Sequence, residues 1–194
     1  MRTAIRLETT NPPMDDSVLA SRARTDAEAF AELYRRHLTR VYRYHMLHTG
    51  SVKDAEDLTS QTFMAALEGI RSYRGSGTFA AWIMGIAMRK RLMFFRSPAQ
   101  TELSLDTALS VPDPGPATDE AAVRRIRLDE IRAALISLDP DRREAVALCF
   151  FAGLAYSEAA RLLGKSEAAL KMLLSRALHD LRTRTSLALE VQND

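Results

Sequence analysis

The chain has 194 residues, of which 46% are hydrophobic and 27% are charged, and its formal net charge is +2. This balance is typical of a soluble globular protein, and the length allows one ordinary domain or two small ones. No apolar run reaches the ~18 residues of a membrane helix, and the first residues lack the apolar core of a signal peptide. The single cysteine, Cys149, excludes a disulfide within the chain. We therefore expect a cytoplasmic protein without membrane insertion.

The modest net charge conceals two basic blocks on either side of an acidic segment. Residues 15–97 contain 13 Lys and Arg against 9 Asp and Glu, and residues 121–186 contain 12 against 8. Residues 98–120 contain 5 acidic residues and no basic one. Basic blocks favour a polyanionic partner such as a nucleic acid.

A long amphipathic helix is predicted early in the chain, after a polar tail of residues 1–14. Apolar and aromatic side chains recur at spacings of three and four, which is the period of one buried helix face. The members of this face are Phe30, Leu33, Tyr34, His37, Leu38, Val41 and Tyr44. We expect His37 to be a hydrogen-bonded core or boundary residue rather than a metal ligand.

A second helical pattern, over residues 54–70, carries one apolar and one polar face. The apolar face predicts burial of Leu58, Thr59, Phe63, Ala66, Leu67 and Ile70. The outward face combines acid, amide and methionine side chains: Asp57, Gln61, Met64 and Glu68. Such a surface suits docking onto another protein better than onto nucleic acid, although a plain solvated face has the same periodicity.

Residues 97–122 divide the chain into two parts. This segment has four prolines, one glycine and no basic residue, which is the composition of a linker. We predict helical domains over residues 15–97 and 123–186, a flexible acidic linker over residues 98–122, and a tail over residues 187–194.

The second domain is predicted to contain helices separated by capping residues. Asp139 precedes a proline at a first helical position, and Gly153 is a natural stop for that helix. The predicted caps further along the chain are Ser157, Gly164 and Ser166. A short helix, a tight turn with glycine and a longer second helix form the layout of a DNA-reading helix-turn-helix.

The last long helix is predicted to present its DNA-reading residues opposite a leucine-rich face. The face expected to be buried comprises Leu170, Leu173, Leu174, Ala177, Leu178 and Leu181. Base contacts normally come from the N-terminal turns of such a helix, which assigns them to Ser166, Glu167, Ala168, Lys171, Met172 and Ser175. The basic side chains expected near phosphates are Arg161, Lys165 and Arg176. The alternative is an ordinary helical hairpin with a solvated charged face.

Four segments stand in the same order as in a known protein family: YRRHLTRVYRY, DAEDLTSQTF, SYRGSGTFAAWIMGIA and AYSEAARLLGKSEAALKMLLSRALHDLR. With these segments the chain closely resembles the extracytoplasmic-function (ECF) class of bacterial RNA polymerase sigma factors. The resemblance covers residues 15–97 and 123–186. It implies an all-α protein with two small helical domains, region 2 and region 4, that directs promoter recognition and opening for transcription initiation.

The resemblance also implies roles for individual residues. The helix of the DAEDLTSQTF segment would bind core RNA polymerase through Asp54, Asp57, Gln61 and Met64. The loop and basic helix after it would hold the promoter −10 element through Tyr73, Arg74, Gly75, Ser76, Thr78, Arg89, Lys90 and Arg91. The helix-turn-helix would read the −35 element. Factors of this class are usually held inactive by an anti-sigma protein, so such a partner is expected, and no cofactor or metal is.

The chain departs from the usual family pattern in both DNA-facing helices. The family usually carries an arginine-asparagine pair where this chain has Met88 and Arg89, and an aspartate where it has Met93. On the second DNA-facing helix, Met172 stands where many members have a polar residue. These differences leave the promoter sequence open. The aromatic pair Phe79 and Trp82 is expected to pack in the core rather than to contact DNA.

Two other functions compete with a sigma factor. A helix-turn-helix regulator that acts without polymerase contact would not need the outward face of residues 54–70 or the YRGSGTF loop. An enzyme such as a small recombinase or nuclease would need a catalytic set of residues. The sequence has no Gly-rich phosphate loop, no spaced metal ligands and no nucleophile–base arrangement, so we expect a protein without enzymatic activity.

Overall fold

The computed structural model describes residues 14–96, 131 and 133–191, with side chains as far as residue 184. All regular secondary structure in these residues is helical, so the predicted all-α fold is confirmed. The predicted acidic linker, residues 98–122, lies outside the described residues, as does nearly all of the predicted N-terminal tail. Among the described helices, none is long and apolar enough to cross a membrane.

The described helices fall into an N-terminal and a C-terminal group. The N-terminal group comprises α1 (Asp16–Arg22), α2 (Ala27–Thr49), α3 (Val52–Gly69), a 3-10 turn (Ile70–Ser72) and α4 (Phe79–Arg96). The C-terminal group comprises α5 (Pro140–Val146), a π-helical turn (Ala147–Phe151), α6 (Tyr156–Leu162) and α7 (Glu167–Val191). Residues 133–136 are also helical.

The reversal between α2 and α3 is set by the residues that cap the two helices. Gly50 adopts a left-handed φ of 71°, and its N–H donates to the Met46 carbonyl at the end of α2. The next residue, Ser51, accepts a hydrogen bond from the Asp54 N–H at 3.3 Å and starts α3. The two helices consequently pack against each other, and α4 packs against both.

The core of the N-terminal group confirms most of the predicted face of α2. Its buried members include Leu33, His37, Val41 and Tyr44. His37 is hydrogen-bonded as expected, since its Nε2 lies 2.7 Å from an Asp16 carboxylate oxygen. Tyr34 lies at the edge of this face, because it is 39% exposed and packs edge-on against Phe63.

The predicted burial of Leu67 on α3 is wrong, because its side chain is 51% exposed. The other members of the predicted apolar face are buried: Leu58, Thr59, Phe63, Ala66 and Ile70. Leu67 lies about 100° round the helix from Ala66, outside the stripe that α2 and α4 cover. The stripe of α3 that α2 and α4 bury is therefore narrower than the apolar face that the sequence predicts.

The start of α5 confirms the predicted cap. The Asp139 carboxylate accepts a hydrogen bond from the Asp141 N–H at 3.0 Å, and Pro140 takes the first helical position. The helix continues into the π-helical turn, which ends just before Gly153 with its φ of 65°. The predicted stop at Gly153 is thereby confirmed.

The start of α6 shows that the predicted cap at Ser157 is wrong. The helix begins at Tyr156, two residues before the start that a cap at Ser157 predicts, and Ala155 takes the N-cap position. Because Ala155 has no side-chain oxygen, the carboxylate of Glu158 reaches back and accepts the Ala155 N–H at 3.2 Å. Ser157 consequently lies inside the first turn of α6.

The helix-turn-helix consists of α6, a turn containing Gly164 with a φ of 62°, and α7. Ser166 caps α7 as predicted, since its Oγ accepts the Ala169 N–H at 3.1 Å. Up to residue 184, where side chains are described, the buried residues of α7 are Leu170, Leu174 and Ala177. The predicted burial of Leu178 is wrong, because α5 and α6 cover a stripe centred on these three residues and leave Leu178 39% exposed.

Candidate nucleic-acid and protein interfaces

The outward side of α3 is a mixed acidic and apolar surface, named here the α3 face. Its exposed members are Asp57, Gln61, Met64, Leu67 and Glu68. Met64 and Leu67 are exposed to 63% and 51%, so the centre of the face is apolar. Asp54, in the first turn of α3, is half-buried at the edge of the helix. An exposed apolar centre between acidic residues suits a protein partner better than a nucleic acid.

The loop of residues 73–78, between the 3-10 turn and α4, is shaped from inside by Tyr73. The ring of Tyr73 is 6% exposed and packs on Phe79 and Trp82, with ring centres 5.7 and 5.4 Å away. Its hydroxyl donates to the Gly77 carbonyl at 2.8 Å, and its own carbonyl accepts from Arg24 at 2.9 Å. In this conformation Tyr73 supports the loop, and its ring is not available as a stacking plane.

The rest of the loop is polar and open to solvent. Its exposed members are Arg74, Gly75, Ser76, Gly77 and Thr78. Gly75 has a φ of 71°, which side chains other than hydrogen rarely tolerate. The Thr78 oxygen accepts the Ala81 N–H at 3.2 Å at the start of α4. The same hydroxyl donates to the Glu158 carboxylate in the C-terminal group.

Three consecutive basic residues on α4 differ in their surroundings, because successive helical residues lie about 100° apart. Arg89 is exposed and Lys90 is half-buried. Arg91 turns toward the C-terminal group, where its Nη2 lies 2.9 Å from a carboxylate oxygen of Glu144. Arg91 is therefore already paired with an anion in this conformation.

The N-terminal turns of α7 present the predicted base-reading residues to solvent. The exposed members are Ser166, Glu167, Ala168, Lys171, Met172 and Ser175. Lys171 pairs with Glu167 at 3.0 Å along the helix, and Met172 is 55% exposed. The face thus offers one cation, hydroxyls and an apolar side chain to a ligand.

The predicted phosphate-contacting residues lie beside this face. Arg161 on α6 and Arg176 on α7 are exposed. Lys165, in the turn, is half-buried and pairs with Asp141 at 2.8 Å. The N-terminus of α7 adds a partial positive charge at the same end of the helix.

A polar cluster that sequence reasoning missed joins α2 and α4 to α5. The Tyr44 hydroxyl donates to one oxygen of Glu144 at 2.6 Å, and Arg91 lies 2.9 Å from the other. His48 Nε2 lies 3.3 Å from the same carboxylate. Burial, with the nearby charge of Arg91, lowers the pKa of His48 to about 2, so this imidazole is neutral.

The remaining histidine and cysteine side chains considered as functional groups are held in the protein interior. In the part of the chain that the structure describes, no group of three or more His, Cys, Asp or Glu side chains could hold a metal ion. Burial raises the pKa of Cys149 to about 11, which keeps the thiol protonated near neutral pH. His45 is held by Thr62, whose Oγ1 lies 3.0 Å from its Nε2.

Family matches cover both groups of helices. Residues 33–101 match Sigma-70 region 2, and residues 128–181 match Sigma-70, region 4. The ECF RNA polymerase sigma factor BldN of Streptomyces coelicolor is 33% identical over 158 residues, which are 80% of this chain and 60% of BldN. The ECF RNA polymerase sigma factor SigE of Mycolicibacterium smegmatis is 34% identical over 156 residues, 78% of this chain and 59% of SigE. The chain thus spans about three-fifths of the length of these two relatives.

The match with this chain covers most of the length of a further relative and of two solved structures. The RNA polymerase sigma factor CarQ of Myxococcus xanthus is 30% identical over 159 residues, 80% of this chain and 88% of CarQ. CnrH, solved in complex with the cytosolic domain of CnrY, has a TM-score of 0.66 at 24% identity and covers 89% of this chain and 97% of its own. The sigma factor RpoE from Bartonella quintana, solved with the anti-sigma factor NepR, has a TM-score of 0.64 at 23% identity, over 82% of this chain and 98% of its own. The two structures share the fold, and with both regions matched in order the chain belongs to the extracytoplasmic-function class of bacterial RNA polymerase sigma factors.

Proposed function

We propose that this chain acts as a sigma factor, which binds core RNA polymerase and directs promoter recognition and opening. The observation that carries the proposal is that one domain, α1–α4, presents both the α3 face and the loop of residues 73–78. The first is suited to a protein and the second to nucleic acid. A subunit that brings a polymerase to DNA needs both surfaces, whereas a regulator that only binds DNA has no use for the first.

In this proposal the α3 face is the anchor on core polymerase. Asp57, Gln61 and Met64 contact the polymerase directly, because they are the exposed residues in the middle of the face. Asp54 contributes at the edge, where its negative charge also stabilises the N-terminus of α3. Exposed acidic groups around an apolar centre favour a partner with basic residues around an apolar one.

The loop of residues 73–78 and α4 are assigned to the −10 element. Arg74 can stack on or bond to an unstacked base, while Gly75 and Ser76 allow close approach of the backbone. Thr78 supplies a hydroxyl at the same end of the loop. The basic residues of α4 are assigned to the DNA backbone, which they bind through charge: Arg89, Lys90 and Arg91.

The helix-turn-helix is assigned to the −35 element, with α7 in the major groove. Lys171 and Ser175 can donate to base edges, and Ala168 and Met172 offer apolar surface of the kind that contacts a thymine methyl group. The exposed guanidinium groups beside the helix are assigned to phosphates.

We also propose an anti-sigma protein as a regulatory partner. CnrH was solved with the cytosolic domain of CnrY, and RpoE from Bartonella quintana was solved with the anti-sigma factor NepR. A sigma factor works where core polymerase and the chromosome are, which assigns this chain to the cytoplasm. Its role is assembly and recognition, while the polymerase performs the chemistry.

Reconstituted transcription tests the proposed function. The purified chain should form a stoichiometric complex with core RNA polymerase and start transcripts on genomic fragments at positions that share a −35 and a −10 sequence. A helix-turn-helix regulator would bind the fragments without joining the polymerase. Failure to form a complex with core and to produce defined start sites would reject the proposal.

A further inference from the structure

The outward side of α4 carries a row of apolar and basic residues, named here the α4 stripe. Its members recur every three or four residues, at positions 82, 86, 89, 93 and 96, so they lie on the same side of the helix. Trp82 and Ile86 are half-buried, whereas Arg89, Met93 and Arg96 are exposed. The residues that α4 buries in the core lie on the opposite side: Ile83, Met84 and Ala87.

The exposed half of the α4 stripe places a methionine between two arginines. Met93 is 62% exposed and lies about one turn from each arginine. Among the described residues, neither Arg89 nor Arg96 forms an ion pair, in contrast to Arg91, which is paired with Glu144. Two exposed cations favour an anionic partner, and an exposed apolar side chain between them favours an apolar contact at the same place.

Duplex DNA offers both kinds of contact in its major groove. Phosphates line the two edges of the groove, and each thymine displays a C5-methyl group on its floor. Arg89 and Arg96 are seven residues apart, which is about 10 Å along a helix, and the groove is about 12 Å wide. Both guanidinium groups can therefore reach phosphates while Met93 faces the bases.

Two other exposed apolar side chains near the end of α4 do not belong to the α4 stripe. Leu92 and Phe95 are exposed to 43% and 44%. Because successive helical residues lie about 100° apart, Leu92 points about 100° and Phe95 about 160° away from Met93. Met93 is thus the exposed apolar residue that the two arginines flank.

We propose that Met93 reads the C5-methyl group of a thymine in the duplex part of the −10 region, with Arg89 and Arg96 on the flanking phosphates. This inference rests on the proposed function, which assigns the basic residues of α4 to the DNA backbone. It adds a base-specific contact at Met93 and a phosphate contact at Arg96. The thioether side chain and the methyl group leave water together, and covering one methyl group corresponds to about fourfold in affinity.

Deoxyuridine scanning of a promoter fragment tests this contact, because deoxyuridine lacks only the C5-methyl group of thymidine. Each thymine of the −10 region is replaced singly, and the affinity of the complex of this chain with core polymerase is measured for every fragment. For the wild type, one replacement should weaken binding about fourfold. Met93→Ala should bind the unmodified fragment about fourfold less tightly and should no longer distinguish the two bases at that position.

Leu92→Ala is the matched control, because it also truncates an exposed apolar side chain in the same turn of α4. It should retain the affinity and the deoxyuridine response of the wild type. Arg96→Gln should instead weaken the binding of all fragments alike and reduce its salt dependence, since a phosphate contact carries no base information. All three variants should bind core polymerase as the wild type does.

The inference would be overturned if no single deoxyuridine weakened wild-type binding, or if Met93→Ala kept the wild-type response at every position. The proposed function would survive either result. Weaker binding of Met93→Ala to core polymerase without DNA would also overturn the inference, because Met93 would then belong to a protein interface. A wild-type chain that forms no complex with core polymerase would reject the proposed function, and this inference with it.

Discussion

The partner of His45 determines its tautomer, and burial determines its protonation state. The Thr62 hydroxyl donates its hydrogen to the Leu58 carbonyl at 2.7 Å, so the Thr62 oxygen accepts from His45 Nε2 at 3.0 Å. Within the described part of the chain, His45 Nδ1 is buried and has no hydrogen-bond partner. A second proton would therefore be buried without an acceptor. Burial, with the nearby charge of Arg91, lowers the pKa of His45 to about 4.

We expect the folded chain to lose stability as the pH falls below 6.5, the ordinary pKa of histidine. The unfolded chain binds a proton at His45 near that pH, whereas the folded chain binds it only near pH 4. Between these values the His45 contribution to the free energy of unfolding should fall by about 1.4 kcal/mol per pH unit. His45→Gln keeps a donor for Thr62 without titrating, so its slope should be shallower. Urea unfolding at a series of pH values measures both slopes, and equal slopes would contradict this account.

At the scale of elements, the α3 face is the test of polymerase binding. Asp57→Arg combined with Gln61→Arg should weaken binding to core polymerase by about 2–5 kcal/mol, because it places cations where an acid and an amide are expected to contact the partner. The fold should survive, since both residues are exposed. Glu28→Arg with Thr39→Arg, at exposed positions of α2, makes the same charge change and is the control. If the two double variants bound core polymerase with equal affinity, the assignment of α3 to the polymerase interface would be wrong.

The helix-turn-helix and the loop of residues 73–78 should act at different steps. Lys171→Ala should weaken promoter binding and reduce its salt dependence, yet allow opening on a template that is already melted. The loss of helix stability should be small, because the pair with Glu167 is exposed.

Arg74→Ala should preserve the closed complex and reduce strand opening, measured by permanganate reactivity of unpaired thymines. The reverse pattern would overturn this division. Tyr73→Ala is a poorer test, because its ring supports the loop.

Helix positions could be predicted from the sequence where the capping chemistry is local. Asp139 and Ser166 cap their helices as the sequence predicts. Ser157 does not, because a glutamate inside the helix reaches back and supplies the cap instead. Leu67 and Leu178 show a second limit. Periodicity identifies residues that could be buried on a helix, while the width of the buried stripe depends on how neighbouring helices pack.

At the scale of the whole molecule, the sequence predicts two domains but not the contact between them. Periodicity and family resemblance were sufficient to place most of the candidate polymerase and promoter residues on exposed faces. They did not predict that the Tyr73 ring is buried or that Arg91 is paired with Glu144. Tyr44, by contrast, fits an ordinary apolar stripe, and Glu144 fits an ordinary charged helix. They are 100 positions apart, and no local pattern relates them. The paired state of Arg91 and Thr78 therefore emerges only from the tertiary arrangement.

The contact of Glu144 with Tyr44 and Arg91 also predicts how the chain behaves when it is cut between its domains. The composition of residues 98–122 predicts a protease-accessible linker, so limited digestion of the free chain should give two fragments. A linker provides an effective concentration in the mM range, so fragments at about 100 µM test whether the contact persists without it. The two fragments should still elute together in size-exclusion chromatography, because Tyr44 and Arg91 hold Glu144. Fragments of Glu144→Gln should separate. Fragments of Asp180→Asn should not, since Asp180 pairs with Arg142 within the C-terminal group. Resistance of residues 98–122 to cleavage would contradict the two-domain prediction, and separation of the wild-type fragments would show that the contact is too weak to hold the domains together without the linker.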